Sequence, residues 1–397
     1  MPPQCAYLAQ SAARFKYPFT LAGVRAGLFL ARFRPRCNRE NQVPKKILLL
    51  IHKYIALSAG VFIAIVCLSG ASLVFRDDLA PWFTPALSIV PQAPSAGEYQ
   101  RVLTAVTSQV PDAASVEIRV PSRRDRAVSV TLETPDARRL YINANTGAVV
   151  ADSASQWLPF DAFFKLHRHF LAGAKGEYFV ATIATMLVVM ATTGLILWWP
   201  RAWKQALRIR WSGNRLAVSF DMHKVTGACF ALFLLTNALT GLVLIFSGVS
   251  TTLVNRVLSV ADAVTPSIAR PAMAGSMKPL DELVAAANRA FPGGTVTQVV
   301  VRSGARPVVV RKRTAAENNP LGTNRIYVDP WSGEVVGMIV LETAPPGNKI
   351  YEWLYPFHIG ELFGTLYKLV LAFAGLAPSV LLVTGLIVWW TRSRMRK

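Results

Sequence analysis

The chain reads as a membrane α-helical protein. Four transmembrane helices form a tandem two-fold repeat, with two extracytoplasmic α+β domains inserted between them. Three observations predict this. Four apolar runs, about Ile47 to Phe75, Phe179 to Trp199, Val225 to Phe246 and Leu369 to Trp390, each reach the roughly 20 residues that cross ~30 Å of hydrocarbon. Four of the five histidines recur at matched spacings: His167 precedes Gly194, and His358 precedes Gly385, by 27 positions, while His52 precedes Gly70, and His223 precedes Gly241, by 18. The excess positive charge is concentrated in short segments beside the apolar runs.

That charge sets an orientation. The 397 residues are 52% hydrophobic and carry a formal net charge of +21. Residues 1–53 hold ten Lys/Arg against one acid, residues 200–224 six against one, and residues 391–397 four against none. Short basic loops stay cytoplasmic, whereas long loops cross largely regardless of charge. Both termini are therefore expected inside and the two long loops outside. Basic charge set beside membrane spans speaks for lipid and against nucleic acid. Cys5, Cys37, Cys67 and Cys229 all fall outside the long loops, so disulfides hold nothing together there. No C-x-x-C occurs, which excludes a covalent C-x-x-C-H haem site and leaves no iron–sulfur ligand set.

In chain order, residues 1–45 form a basic arm broken by Pro18, Pro35 and Pro44, without a clean signal core. The first span covers residues 46–76. Eighteen residues make five whole turns of helix, so Gly70 shares the face of His52; with the small Ala56 on that face, this leaves room either for something bulky or for ordinary helix–helix packing. The first external domain, residues 77–160, reads as a helix (Glu98 to Val110) and then strands (Ala114 to Val120, Ala127 to Glu133, and a hairpin from Arg139 to Val150 turning at Asn145-Thr-Gly). A juxtamembrane helix and the second span occupy 161–200, a cytoplasmic loop 201–221, and the third span 222–247. The second external domain, 248–350, runs in the same order: helix Leu280 to Phe291, strands Thr295 to Arg302 and Pro307 to Arg313, and a hairpin from Arg325 to Val336 turning at Trp331-Ser-Gly. Tyr141, Gly147, Val149 and Val150 match Tyr327, Gly333, Val335 and Val336 at a constant offset of 186. Residues 351–391 hold the second juxtamembrane helix and the fourth span, and 392–397 a cytoplasmic tail. Both copies start inside, as in a parallel repeat about the membrane normal.

Leu166-His167-Arg168, followed by Thr193-Gly194-Leu195-Ile196-Leu197-Trp198-Trp199-Pro200-Arg201 and preceded by an external module ending in Tyr141-x-x-x-x-Thr146-Gly147, resembles the PepSY-associated transmembrane helix family. The resemblance covers roughly residues 46–392, and the external domains are accordingly PepSY-like. It implies an inner-membrane haem protein that reduces ferric siderophores and frees iron as Fe(II), with the four repeat histidines where the family binds haem. Two departures stand out. His169 is an extra histidine, which leaves His167 and His169 both open as the outer ligand. His52-Lys53 and His223-Lys224 replace the His-Arg more common in the family.

The residues support a compatible chemistry. An ionisable side chain within a membrane marks function by default. His52 and His223 lie near the cytoplasmic face, and His167 and His358 just beyond the outer ends of spans two and four. Each depth offers two imidazoles on separate helices, which suits axial ligation of a planar haem iron. Two non-covalent b-type haems are expected, with a single haem, another metal or a structural role as alternatives. Zinc or copper would need further ligands, and no nucleotide or flavin motif opens a helix. Lys53, Arg168 and Lys224 are open between pairing with haem propionates and snorkelling to the interface, while the Trp198-Trp199 and Trp389-Trp390 pairs read as interfacial anchors. The function expected is outward electron transfer from a cytoplasmic or quinol donor to a ferric siderophore. The alternatives are a membrane-tethered regulator of a secreted peptidase and a conduit to another external acceptor.

Overall fold

A computed structural model describes residues 42–89, 97–134, 138–199, 203–258, 266, 268, 276–317 and 319–395, so most of the expected basic arm lies outside the described residues. Contacts divide the chain into Met1–Ile47 and Leu48–Lys397, and the packing that defines the fold belongs to the second unit. Helix α1 (Gln42–Leu73) leads into α2 (Arg76–Phe83), then α3 (Glu98–Gln109) and strands β1 (Ser115–Arg119), β2 (Val128–Leu132), β3 (Arg139–Ile142) and β4 (Val149–Asp152). Helices α4 (Pro159–His169) and α5 (Gly173–Trp198) follow, then the single turn α6 (Trp203–Ala206) and α7 (Arg215–Ile245). The second half continues with α8 (Ser247–Val257), α9 (Leu280–Ala290), β5 (Thr295–Arg302), β6 (Val308–Arg313), β7 (Asn324–Val328), β8 (Val335–Ile339), α10 (Pro346–Ile359) and α11 (Gly364–Arg394).

Four of these helices are long and apolar enough to cross a membrane: α1 from Pro44, α5, α7 and α11. Helix α7 outruns its apolar stretch because its polar N-terminal end is held. Helix α7 starts at Arg215 rather than at residue 222: the Asn214 side chain accepts the Ala217 N–H at 2.9 Å, a standard N-cap. Asp221, buried in the same helix, takes Arg210 at 2.7 Å and Lys224 at 3.4 Å. Helix α7 packs between α5 and α11. Helix α1 meets α11 at Gly375, where a Cβ would lie 2.7 Å from the Ala71 Cβ and 2.8 Å from the Cys67 carbonyl. Such close backbone approach through small residues is how helices associate where burying apolar surface supplies no driving force.

The sequence presents the external modules as two domains, whereas the structure joins them into one antiparallel sheet of order β4-β3-β2-β1-β5-β6-β7-β8. The seam is β1 against β5, with Val116 opposite Val301 and Ile118 opposite Val299. Each strand would be an open edge of its own module, and pairing them removes both edges. One face of the sheet is apolar and continuous across the seam: Ile118, Val130, Leu140, Ile142, Val299, Val310 and Ile326 are essentially fully buried under α3 and α9. Burial of each such side chain contributes roughly 1.5–3 kcal/mol. The two helices cap each other. Asp281 of α9 accepts the Gln100 N–H of α3 at 2.8 Å, and the Gln100 side chain accepts the Leu280 N–H at 2.8 Å, which satisfies N-terminal donors that no helix can satisfy internally. Lys312 is buried beside α9, and its ammonium donates to the Phe291 carbonyl at that helix's C-terminus, 2.5 Å away, where a cation is favoured.

Candidate functional site

Each repeat histidine sits on a small residue of a different helix. His52 of α1 lies over Gly194 of α5, and His167 of α4 over Gly70 of α1. His223 of α7 lies over Gly385 of α11, and His358 of α10 over Gly241 of α7. A Cβ on those glycines would come within 3.3, 2.7, 3.3 and 3.2 Å of the respective ring Cε1 atoms. Gly70 does share the face of His52 on α1, and the bulky group it admits is the ring of His167 from α4.

The residue before each glycine is Ser or Thr, and the hydrogen bonds at these seats fix the tautomers. His52 Nδ1 lies 3.0 Å from Thr193 Oγ1, whose own proton goes to the Val189 carbonyl at 2.7 Å. His358 Nδ1 meets Thr240 Oγ1 at 3.0 Å, and that hydroxyl donates to Thr236 O at 3.0 Å. His223 Nδ1 meets Leu381 O at 3.0 Å, with Thr384 Oγ1 at 3.2 Å, and His167 Nδ1 meets Val66 O at 2.8 Å. A carbonyl can only accept, and so can a hydroxyl whose proton is already committed. His167 and His223, bonded to carbonyls, therefore carry their proton on Nδ1 and keep the Nε2 lone pair, and the threonine hydroxyls can accept from His52 and His358 in the same way. Ligating histidines are oriented in this way, through a hydrogen bond from the other ring nitrogen.

The seated rings face each other in two pairs. The centres of His52 and His223 are 6.3 Å apart, with planes at 84°; those of His167 and His358 are 6.2 Å apart at 39°. A ring nitrogen lies about 1.1 Å from its ring centre by covalent geometry, and a metal–imidazole bond is about 2.0 Å. One iron between two imidazoles thus needs about 6.2 Å between centres, so the donor set fits a six-coordinate haem. Among the described residues no group of three or more His, Cys, Asp and Glu comes together, which leaves the pairs short of a tetrahedral zinc site. Burial holds the imidazoles of His167 and His358 below the usual histidine range, His358 at about 4, with the neighbouring His167 adding to the effect on His358. Both are neutral, the form that binds metal.

Geometry separates His167 from His169. His169 points to Glu177, 3.5 Å from its carboxylate, and packs on Phe164; it does not face His358. The basic neighbours are also engaged within the protein. Arg168 pairs with Glu177 at 3.0 Å, and Lys53 lies over the Tyr54 ring at 4.2 Å. Lys224 donates to the carbonyls of Gln205 and Arg208 at 3.3 and 3.2 Å. The α4–α5 elbow is strained, with Phe170 and Leu171 both in the left-handed region at φ 45° and 60°. Each costs roughly 1–2 kcal/mol, and the stacking of Phe170 against Phe179, centres 4.8 Å apart, offsets part of that.

Sequence reasoning missed how His167 and His358 are tied to the sheet. Asp161, buried six residues before His167, takes Arg76 at 2.7 Å, Arg139 of β3, and the Tyr141 hydroxyl at 3.1 Å. Glu352, six residues before His358, takes Arg325 of β7 at 3.5 Å and Asn319 at 2.8 Å. The signal was in the sequence: the carboxylates share a spacing to their histidines, and Arg139 and Arg325 share the 186-residue offset.

The fold and site define a multi-pass membrane α-helical protein whose helices present paired histidines beneath a β-sheet. The chain belongs to the family described as the PepSY-associated TM region, which it matches over residues 49–392. No curated protein matches it.

Proposed function

We propose that the chain is an inner-membrane oxidoreductase that holds two b-type haems, carries single electrons outward across the bilayer and reduces ferric siderophores on the periplasmic side. Its two halves are read as a tandem repeat, its sheet as periplasmic, and both termini as cytoplasmic. The observation that carries the proposal is the pair of facing imidazole couples at 6.2–6.3 Å, every ring held by Nδ1 with Nε2 left free. His52 and His223 would hold the inner group, and His167 and His358 the outer one. A bis-imidazole haem supplies one-electron chemistry without an open coordination position. The chain's own part is to fix ring orientation, exclude water around the rings and keep the imidazoles neutral. One electron converts chelated Fe(III) to Fe(II), which hard oxygen donors hold less tightly, and the iron is released. The donor would be a cytoplasmic reductant or a membrane quinol. A peptidase tether has no use for four imidazoles seated in this way.

The test is a reduced-minus-oxidised spectrum of the detergent-purified protein, with haem counted per chain. Near two acid-extractable b-type haems are expected. His223→Ala should lose one haem and His358→Ala the other, with different residual spectra. Colourless protein from haem-replete cells, or two variants with the same spectrum, would overturn the reading.

A further inference from the structure

The sheet face turned away from α3 and α9 carries a row of residues that the histidine pairs do not use. Strand register sets Arg119, Gln298, Arg311 and Arg325 directly beside one another on β1, β5, β6 and β7. The helix bearing His358 lies on this face, since Glu352 of α10 pairs with Arg325. Six residues separate Glu352 from His358, about 9 Å of helix. The row opens to solvent at Arg119, whose side chain is 43% exposed.

Like charges directly opposite in a sheet repel, so such a row calls for counter-charge. Arg325 has Glu352 at 3.5 Å, and Arg119 has Glu117 at 3.9 Å. Arg311, between them, has no carboxylate within 4.0 Å among the described residues. Its Nη1 donates to Gln298 Oε1 at 3.4 Å and its Nη2 to the Gly322 carbonyl at 2.5 Å, while Nε is buried with no partner. Gln298 is itself committed on its amide side to Glu117. Three guanidiniums against two carboxylates leave the row with a net positive charge, and Arg311 feels Glu352 and Glu117 without pairing directly with either. Burial, together with Arg325 and Arg119 alongside, pushes that guanidinium down to about 10, so it is still charged at neutral pH.

We infer that Arg311, flanked by Arg119 and Arg325, is the docking point for a carboxylate of the incoming ferric chelate, so that the protein takes anionic, carboxylate-type chelates in preference to cationic hydroxamates. A planar guanidinium with free donors matches a carboxylate in shape as well as charge. The identity of the ligand rests on the reductase reading, whereas the site can be tested without electron transfer.

The experiment is equilibrium binding of redox-inert gallium(III) citrate to the full-length detergent-purified protein, followed by tryptophan fluorescence at low and high salt. Wild type should bind it with salt-sensitive affinity, and more tightly than the cationic gallium complex of desferrioxamine B. Arg311→Gln should weaken citrate binding by about tenfold or more, the loss expected for one charge-assisted contact, with haem content and spectra unchanged. Arg119→Gln, at the exposed end of the row, should weaken it several-fold and gives a reading even if Arg311→Gln misfolds. Unchanged citrate affinity in both variants overturns the inference. So does loss of haem from Arg311→Gln in step with citrate binding, which would assign the arginine to porphyrin carboxylates. Colourless protein that still binds gallium citrate through Arg311 would keep this site and sink the electron-transfer reading.

Discussion

Adding one methyl group at Gly70 should disturb the outer histidine pair and spare the inner one. A Cβ on Gly70 lies 2.7 Å from His167 Cε1 and 3.0 Å from its Nδ1, whereas carbon atoms rest at about 3.5–4.0 Å. The ring must therefore retreat by roughly 1 Å. It is tethered, because Nδ1 donates to the Val66 carbonyl one turn back on the same helix at 2.8 Å. Retreat stretches that bond to about 3.8 Å, beyond hydrogen-bond range. Overpacking costs about 1–3 kcal/mol and the lost hydrogen bond about 0.5–1.5 kcal/mol. Replacing a mid-helix glycine returns about 1 kcal/mol, so Gly70→Ala should destabilise by about 1–3 kcal/mol. Gly385→Ala is the matched control: its nearest contact with His223 is 3.3 Å, which a shift of a few tenths of an ångström relieves. The assays are thermal unfolding in detergent and the haem spectrum with haem per chain. Gly70→Ala should unfold earlier and lose or shift only the signal that His358→Ala removes, while Gly385→Ala stays near wild type. If the two alanine variants behave alike, the seating of His167 on Gly70 has been misread.

Three further outcomes follow from the structure. Asp161→Asn leaves the part-buried Arg76 and Arg139 without their shared counter-charge and should cost about 3–5 kcal/mol, read as a fall in melting temperature; Glu352→Gln should cost less, because Arg325 is more exposed and lies 3.5 Å away. A reporter fused after Lys397 should report cytoplasm and one inserted near Ser303 the periplasm, and finding Ser303 inside would overturn the proposed orientation and the outward electron transfer proposed with it. Arg138 donates to Asp152 at 3.1 and 2.6 Å and holds that carboxyl below its ordinary 3.8. The stabilisation from this pair is full above that value and lost as pH falls below it, so Asp152→Asn should flatten that part of an acid-unfolding curve.

The strands and helices of the sheet were legible because apolar alternation and turn glycines are local signals. Val128–Leu132 alternates cleanly, and Gly147 and Gly333, both at φ 74°, occupy the left-handed turn positions that favour glycine. The histidine pairs were legible through repeat spacing and charge. The seats were not, because periodicity places residues on a face but does not say which helix lies against it: Gly70 and His52 do share a face of α1, yet the partner of Gly70 comes from α4. Nor was the single sheet legible, since an edge strand such as β1 reads the same in sequence whether it ends a sheet or continues into another. Helices α2 and α8 escaped notice because they are short and lack a clear apolar period.

The β1–β5 seam has a consequence for biosynthesis. Between Arg119 and Thr295 the chain makes three more strands and two helices of membrane-crossing length, α5 and α7. Strand β1 therefore emerges long before its partner exists, and the first module must wait with a bare edge while both helices are inserted. Contacts this distant in sequence close slowly, and an unpaired edge is open to wrong partners meanwhile. Halting synthesis just after α7 should therefore strand a half-sheet prone to sticking to its like, and a separately supplied second half would have to reach that edge before another copy does.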